Sequence, residues 1–165
     1  MSNGKNQNNS ENKEIISWCD KYATGIDQID KQHRHLVVLT NQLYSACFAP
    51  HDVLESVFKE AMSRMVEYVR FHFNDELKLL KAINYPDYQN HKKMHDTLVN
   101  NILDTVKSYN EGKNHIPNNF VRTLVDWVFG HIAVYDKQYS AFAEGQLKNG
   151  KLSLQKLKEI EKASA

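Results

Sequence analysis

The sequence predicts an all-α protein, an up-down-up-down four-helix bundle followed by a short C-terminal extra helix. Apolar residues recur at the 3.6-residue spacing of a helix over four long stretches, and strand-like alternation is absent. The 165 residues contain only 6 glycines and 3 prolines, and each proline lies where a helix should begin or end. The connections between stretches are short, which makes consecutive helices antiparallel neighbours.

The first two helices are predicted over about residues 28–47 and 53–81. Pro50 separates them, because proline is tolerated at the start of a helix but not in its interior. Asp52 is the predicted N-cap of the second helix. Both stretches place their apolar residues on one face, which we expect to face the bundle core.

The remaining helices have equally clear limits in the sequence. The third is predicted over about residues 87–109, with Gly112 as its terminator. The fourth runs from Pro117, a suitable first helical residue, to about Leu147. After the next glycine, residues 151–163 have the pattern of a short amphipathic helix.

The chain is expected to form one bundle domain over residues 15–147, between a disordered tail (1–14) and a tail helix segment (148–165). Residues 1–14 are polar and lack the apolar core of a secretory signal. The net charge of +1 gives no case for binding nucleic acid or an anionic membrane, and no apolar run could span a membrane. Two cysteines without a CxxC motif favour reduced thiols in the cytoplasm, and we favour a monomer.

Five histidines and two carboxylates fall at the spacings that a buried two-metal site needs. They are His33, His72, Glu76, His91, His95, His131 and Asp136. Residues four apart project from one helix face, so each of the two i, i+4 pairs converges on one point. The last two residues are five apart, about 140° off on a regular helix. If both bind metal, the fourth helix must widen locally, for example by a π-bulge.

Each of these residues has a simpler explanation when it is taken alone. A histidine such as His33 on an apolar face is more often a hydrogen-bonded core residue. The His91/His95 pair can arise by chance on a surface, and Glu76 and Asp136 are ordinary helix carboxylates. Together, seven polar side chains in a dry core would be costly unless they are paired or metal-bound. The remaining alternative is that all seven are exposed, which conflicts with their apolar neighbours.

The levels of the candidate donors along their helices agree with a bundle. At a rise of ~1.5 Å per residue, the second, third and fourth helices bring their donors to nearly the same level. His33 lies about 14 residues before the end of its helix, whereas His72 lies about 19 after the start of the next. We therefore expect the second helix to overhang the first. Of the other histidines, His35 should face away from the core, and His51 and His115 should lie in loops.

These motifs resemble the hemerythrin family, particularly its bacterial members. The match covers roughly Trp18 to Gly145. The segments that carry it are 30-DKQHRHL-36, 72-HFNDE-76, 85-YPDYQNHKKMH-95 and 127-WVFGHIAVYD-136. The resemblance implies a four-helix bundle with a non-haem di-iron centre that binds O2 reversibly.

The resemblance also assigns a role to each candidate ligand. It implies that one iron has its ligands complete, held by His91, His95 and His131. It implies that a second iron keeps an open position for O2, held by His33 and His72. It implies that two carboxylates bridge the two iron ions, beside an oxo or hydroxo bridge, namely Glu76 and Asp136.

Three further residues are implied to line the pocket for O2. Trp127 and Ile132 match apolar residues around the open position. Val128 stands where the family commonly has leucine, and we expect this smaller side chain to control access to the pocket. Leu77 replaces a second glutamate that many members have, at a position that is not a ligand.

The leading functional prediction is an O2-binding protein, not an enzyme, that serves in carriage, storage, delivery or scavenging. Neutral imidazoles donate less charge to iron than carboxylates do, which favours reversible binding over O–O cleavage. The sequence also lacks the Glu-x-x-His motifs of ferritin-like oxidases. Two alternatives stay open: a sensor of O2, NO or iron that acts through a partner, and a di-iron oxidase or peroxidase.

Overall fold

A computed structural model describes residues 13–113 and 116–162, and all regular secondary structure within these ranges is helical. The α-helices are α1 (Asp27–Ala46), α2 (His51–Ala82), α3 (Tyr88–Asn110), α4 (Ile116–Asp126), α5 (Lys137–Lys148) and α6 (Leu154–Lys162). A π-helical segment (Trp127–Asp136) joins α4 directly to α5. The prediction of an all-α protein is confirmed.

Each long helix of the bundle packs against two others. Helix α1 packs on α2, α2 on α3, α3 on α4, and α4 returns to α1. The first three helices begin and end within two residues of the predicted bounds. The predicted fourth helix is continuous from α4 to α5 but contains the π segment. The chain is therefore a helical bundle.

Local predictions at the helix ends have mixed outcomes. Asp52 is not the N-cap of α2, because the helix already begins at His51 and Pro50 occupies the N-cap position. His51 is accordingly helical, so its predicted loop position is wrong. The carboxylate of Asp52 still lies in the first turn, where it suits the positive end of the helix dipole. Gly112 ends α3 as predicted, at a φ of 71° that favours glycine.

Two apolar cores lie on either side of a polar layer. Along α2, Phe58 and Met65 belong to one core, His72 and Glu76 follow, and Leu80 belongs to the other core. The fourth helical unit of the bundle consists of α4, the π segment and α5. The same order occurs along it, in Leu124, His131, Asp136 and Tyr139. The polar layer is therefore enclosed by apolar packing from both ends of the bundle.

The expected overhang of α2 is confirmed. Helix α2 has 32 residues and α1 has 20. The imidazole rings of His33 and His72 nevertheless meet, with their centroids 4.8 Å apart. His72 lies farther from the first turn than His33 does, and the two rings still meet because α2 extends beyond α1.

Segments outside the bundle helices close its ends. Asn41 of α1 accepts hydrogen bonds from the backbone N–H groups of Ile15 and Ile16, both at 3.0 Å. Leu152 and Leu157 are buried in the core at the other end, where α6 packs on α2. Residues 1–12 of the tail predicted over residues 1–14 lie outside the described residues, and so does His115. No helix within the described ranges is long and apolar enough to cross a membrane.

Candidate metal centre

All seven candidate side chains are buried in the polar layer. Their exposed fractions lie between 0 and 3%. They come from all four long helical units: His33 from α1, His72 and Glu76 from α2, His91 and His95 from α3, and His131 and Asp136 from the π segment. Surface exposure, the remaining alternative from the sequence, is therefore excluded. His35 is exposed, as expected.

Glu76 lies between two groups of converging donor atoms and belongs to both. The three-histidine group consists of Glu76, His91, His95 and His131, and the two-histidine group of Glu76, His33 and His72. Within each group the donor atoms lie within 4.8 Å of one another. Oε2 of Glu76 is 3.4 Å from Nε2 of His72 and 3.1 Å from Nε2 of His95. The carboxylate therefore spans the two groups.

Asp136 makes a second connection between the groups. Its Oδ2 lies 3.2 Å from Nε2 of His33, and its Oδ1 lies 3.1 Å from Nε2 of His131. The same Oδ1 is 3.5 Å from Nε2 of His91. Asp136 thus contacts histidines of both groups, although it is outside both sets of mutually converging donor atoms.

Most donor atoms of this layer have no hydrogen-bond partner. Both oxygens of Glu76 and Asp136 are unpartnered, and so is Nε2 of His33, His72 and His91. The exception is Nε2 of His95, which lies 3.1 Å from Nε2 of His131 in a hydrogen bond. Unpartnered buried polar atoms cost ~1–3 kcal/mol each, more when charged, and a cation at their common centre would satisfy them. Imidazole and carboxylate donors suit iron or zinc, so the residues fit the implied metal.

The π segment explains how His131 and Asp136 reach the same cluster. In a π-helix the backbone hydrogen bonds join residues five apart, so residues at this spacing lie on one face. The predicted local widening between His131 and Asp136 is confirmed, but it extends further, from Trp127 to Asp136. The ring of Trp127 also stacks on His131, with centroids 3.8 Å apart.

Burial and mutual charge set the protonation of the cluster before any metal binds. Burial lowers the pKa of His72 to about 3, so its imidazole is neutral at physiological pH. Burial would raise the pKa of Glu76, but the neighbouring His72 and His95 hold it well below its ordinary value. The pKa of Asp136 is also lowered, because His131 and His33 outweigh its burial and the charge of Glu76. Neutral imidazole and ionised carboxylate are the forms that bind a metal.

Two tyrosines of the layer were not among the predicted site residues. Tyr68 stacks on His72 with ring centroids 4.5 Å apart, and Tyr139 packs edge-on against His91 at 5.6 Å. Both hydroxyls are buried without a hydrogen-bond partner. Burial, together with the charge of Glu76, raises the pKa of each well above the usual tyrosine value. Tyr68 could have been found from its position one helical turn before His72.

Of the three predicted pocket residues, Trp127 contacts the cluster directly, and the other two belong to an apolar core. Val128 and Ile132 are fully buried in the apolar core that contains Leu124. Trp127 is half-buried and packs on His131 and also on His95, at a centroid distance of 5.8 Å. The indole of Trp127 therefore covers two histidines of the three-histidine group.

Comparison with known proteins places this arrangement in a family. A family model described as the hemerythrin HHE cation binding domain matches residues 24–143, a segment that contains all seven donors. The chain belongs to the hemerythrin family. Among similar hemerythrins, the bacteriohemerythrin of Stenotrophomonas maltophilia is 27% identical over 76% of this chain and 80% of its own. That of Methylococcus capsulatus is 25% identical over 76% and 94%.

The similarity extends beyond bacteria. A hemerythrin-like protein of Naegleria gruberi is 24% identical over 75% of this chain and 90% of its own length. The family match ends at residue 143, within α5. Helix α6 therefore lies outside the segment shared with the family model.

Proposed function

We propose that this hemerythrin holds two non-haem iron ions, joined by an oxo or hydroxo bridge, and binds O2 reversibly. The observation that carries the proposal is the unequal donor set of the two groups. The three-histidine group offers four donor residues, and the two-histidine group offers three. Iron in the smaller group would keep a free coordination position, and open positions suit O2 chemistry.

In this proposal each candidate ligand acts on one or both metal ions. His91, His95 and His131 would hold one iron, and His33 and His72 would hold the other. Glu76 and Asp136 would be shared by both, which is supported by their contacts with histidines of both groups. When bound, the iron pair would supply the redox chemistry that reversible O2 binding needs. The helices carrying these residues run up-down-up-down, as the short connections favour.

The surrounding residues exclude water and hold protons. Phe73 stacks on His95 at 3.8 Å between centroids, and Trp127 stacks on His131. Val128 and Ile132 are proposed to add apolar surface to the pocket for O2, and their complete burial supports this. The hydroxyls of Tyr68 and Tyr139 keep their protons because burial raises their pKa values. A dry, imidazole-rich site supports reversible binding of O2 over its catalytic reduction. We therefore infer that the protein binds O2 and is not an enzyme.

The oligomeric state and the cellular compartment are part of the same proposal. We infer that it works as a monomer in the cytoplasm. The two cysteines, Cys19 and Cys47, are both free, which is the state expected in a reducing compartment.

Metal analysis and optical spectroscopy test the proposal directly. The purified protein is expected to take up two iron ions per chain. The anaerobically reduced protein should change its spectrum when O2 is added and recover the first spectrum when O2 is removed. Uptake of a single zinc ion, with none of iron, would reject the di-iron site. Steady consumption of a reductant with O2 would replace binding by an oxidase or peroxidase function, and a partner contact that changes with O2 or NO would indicate a sensor.

A further inference from the structure

A chain of hydrogen bonds leads from His72 to a buried carboxylate that is not a candidate ligand. Nδ1 of His72 lies 2.9 Å from Oε1 of Gln32. Nε2 of Gln32 donates to Oδ2 of Asp75 at 2.8 Å. Gln28, one helical turn before Gln32, donates to the same oxygen at 2.9 Å. Asp75 is buried, with an exposed fraction of 4%. The chain therefore links α1 to α2 beside the two-histidine group.

The direction of each hydrogen bond follows from the acceptor at the end of the chain. A carboxylate only accepts, so Gln32 must turn its NH2 group towards Asp75. Its carbonyl oxygen then faces His72 and can only accept from the imidazole. The proton of the neutral ring is thus held on Nδ1, and the lone pair remains on Nε2. This nitrogen is the one that lies 3.4 Å from Glu76, inside the metal centre.

His72 differs in this respect from most of the other histidines of the centre. Nδ1 of His33, of His95 and of His131 is buried without a hydrogen-bond partner. Nothing comparable fixes the ring proton of those three residues. The hydrogen-bonded chain therefore acts on one member of the two-histidine group, which has the fewer protein donors.

We propose that Gln32 and Asp75, with Gln28 as a second donor, form a positioning network that locks His72 in its Nδ1–H tautomer. The network keeps Nε2 aimed at the metal and so sets the metal affinity of the two-histidine group. The effect on metal binding rests on the proposed function; the effect on the tautomer does not. Loss of a partner behind a metal-binding histidine typically weakens metal affinity about 10–100-fold.

The tautomer can be measured without any metal. Nitrogen NMR of the metal-free protein, labelled with ¹⁵N-histidine, reports which ring nitrogen of His72 carries the proton. The wild type should show the proton on Nδ1. Gln32→Leu should give a mixture of tautomers, because leucine accepts no hydrogen bond. Gln42→Leu, at an exposed position of the same helix, is the matched control and should leave His72 unchanged.

Metal titration of the same proteins tests the consequence for binding. With Co(II) under anaerobic conditions, the wild type and Gln42→Leu should bind two ions. Gln32→Leu should bind one ion as before and the second about 10–100-fold more weakly. If Gln32→Leu matches Gln42→Leu in both tautomer and affinity, the network has no positioning role. If the wild type binds fewer than two ions, the proposed function fails, and the tautomer measurement still decides on the network.

A double substitution separates positioning from general damage to the fold. Asp75→Asn alone lets the Gln32 amide turn either way, because asparagine both donates and accepts, and should disturb the tautomer of His72. Combined with Gln32→Glu, the new carboxylate can accept from both the asparagine amide at position 75 and the imidazole, so the hydrogen bond between positions 32 and 75 is reversed and His72 still donates. Recovery of the tautomer and of the second metal in the double variant is expected. A double variant no better than Asp75→Asn would overturn the proposal.

Discussion

Glu76 is the residue on which both donor groups depend. It is fully buried, and its two oxygens contact histidines of α2 and α3. No other residue of the described chain belongs to both sets of converging donors. A change at this one position is therefore expected to affect both metal sites. A change of one histidine is expected to affect mainly the site to which that histidine belongs.

Glu76→Gln is expected to weaken the binding of both metal ions at least ~10-fold, since loss of a direct ligand should exceed the cost of losing an outer partner. The amide keeps the shape of the side chain but removes the charge that the two proposed metal ions would share. Anaerobic titration with Fe(II) or Co(II) measures the two affinities. Glu67→Gln, at an exposed position of the same helix, is the control. Unchanged binding of two ions by Glu76→Gln would refute a bridging role.

Val128→Leu is expected to slow the decay of the oxygenated protein. The valine is fully buried in the π segment, three residues before His131, and leucine adds one methylene at this position. The added bulk should exclude water and anions, at a packing cost of ~1–3 kcal/mol or less. Stopped-flow spectra of both proteins give the decay rates. Equal decay rates together with an altered thermal stability would assign Val128 to core packing alone.

At the level of single elements, the π segment determines the shape of the site. It runs over ten residues and keeps the fourth helical unit continuous. Each turn of a π-helix takes more residues than a turn of an α-helix, which brings His131 and Asp136 to one face. The geometry of the centre thus depends on a backbone that is less favourable than an ordinary helix.

A pair of glycine substitutions compares this backbone with a regular helix. Gly130 lies in the π segment and Gly145 in α5, and an added Cβ would meet no atom within 4 Å at either position. Alanine at a regular helical position should stabilise the protein by ~0.5–1 kcal/mol. We expect this gain for Gly145→Ala and a smaller one for Gly130→Ala. Urea unfolding of the metal-free variants measures both, and equal gains would show that the π segment tolerates alanine as well as α5 does.

The spacing of residues within one helix predicted most of this centre. Residues four apart, such as His91 and His95, were predicted to lie on one helix face. The five-residue spacing between His131 and Asp136 predicted the widened helix. The contact of Gln32 with Asp75 could not be predicted, because it depends on how α1 and α2 are rotated against each other. The N-cap of α2 was assigned wrongly to Asp52, since Pro50 already allows the helix to begin at His51.

On the scale of the whole molecule, the polar layer divides the interior into two apolar cores. One core contains Phe58, Met65 and Leu124, and the other contains Leu80 and Tyr139. Without metal, the layer between them holds unpartnered buried polar atoms. Metal binds the folded state and not the unfolded chain, so it should stabilise the entire bundle.

The metal-free protein is expected to lose stability as the pH falls. The pKa of His72 drops from 6.5 to about 3 on folding, so the unfolded chain takes up this proton first. The lowered pKa values of Glu76 and Asp136 act in the same direction, whereas the raised pKa of His91 opposes them. Stability should be greatest near neutral pH and decline between about pH 6.5 and about pH 3. Thermal melts of the metal-free protein over this range measure it, and a flat profile would contradict the assignment.

The division of the interior also bears on how long the polypeptide survives in a cell. If the centre holds iron as proposed, a chain made when iron is scarce should lack the stabilisation that the metal provides and should open more often. Opened chains are substrates for proteases, so abundance should follow the supply of iron even if synthesis is constant. Limited proteolysis of loaded and metal-free protein would reveal the difference. The same buried donors that are proposed to hold the iron would then also determine which copies of the protein persist.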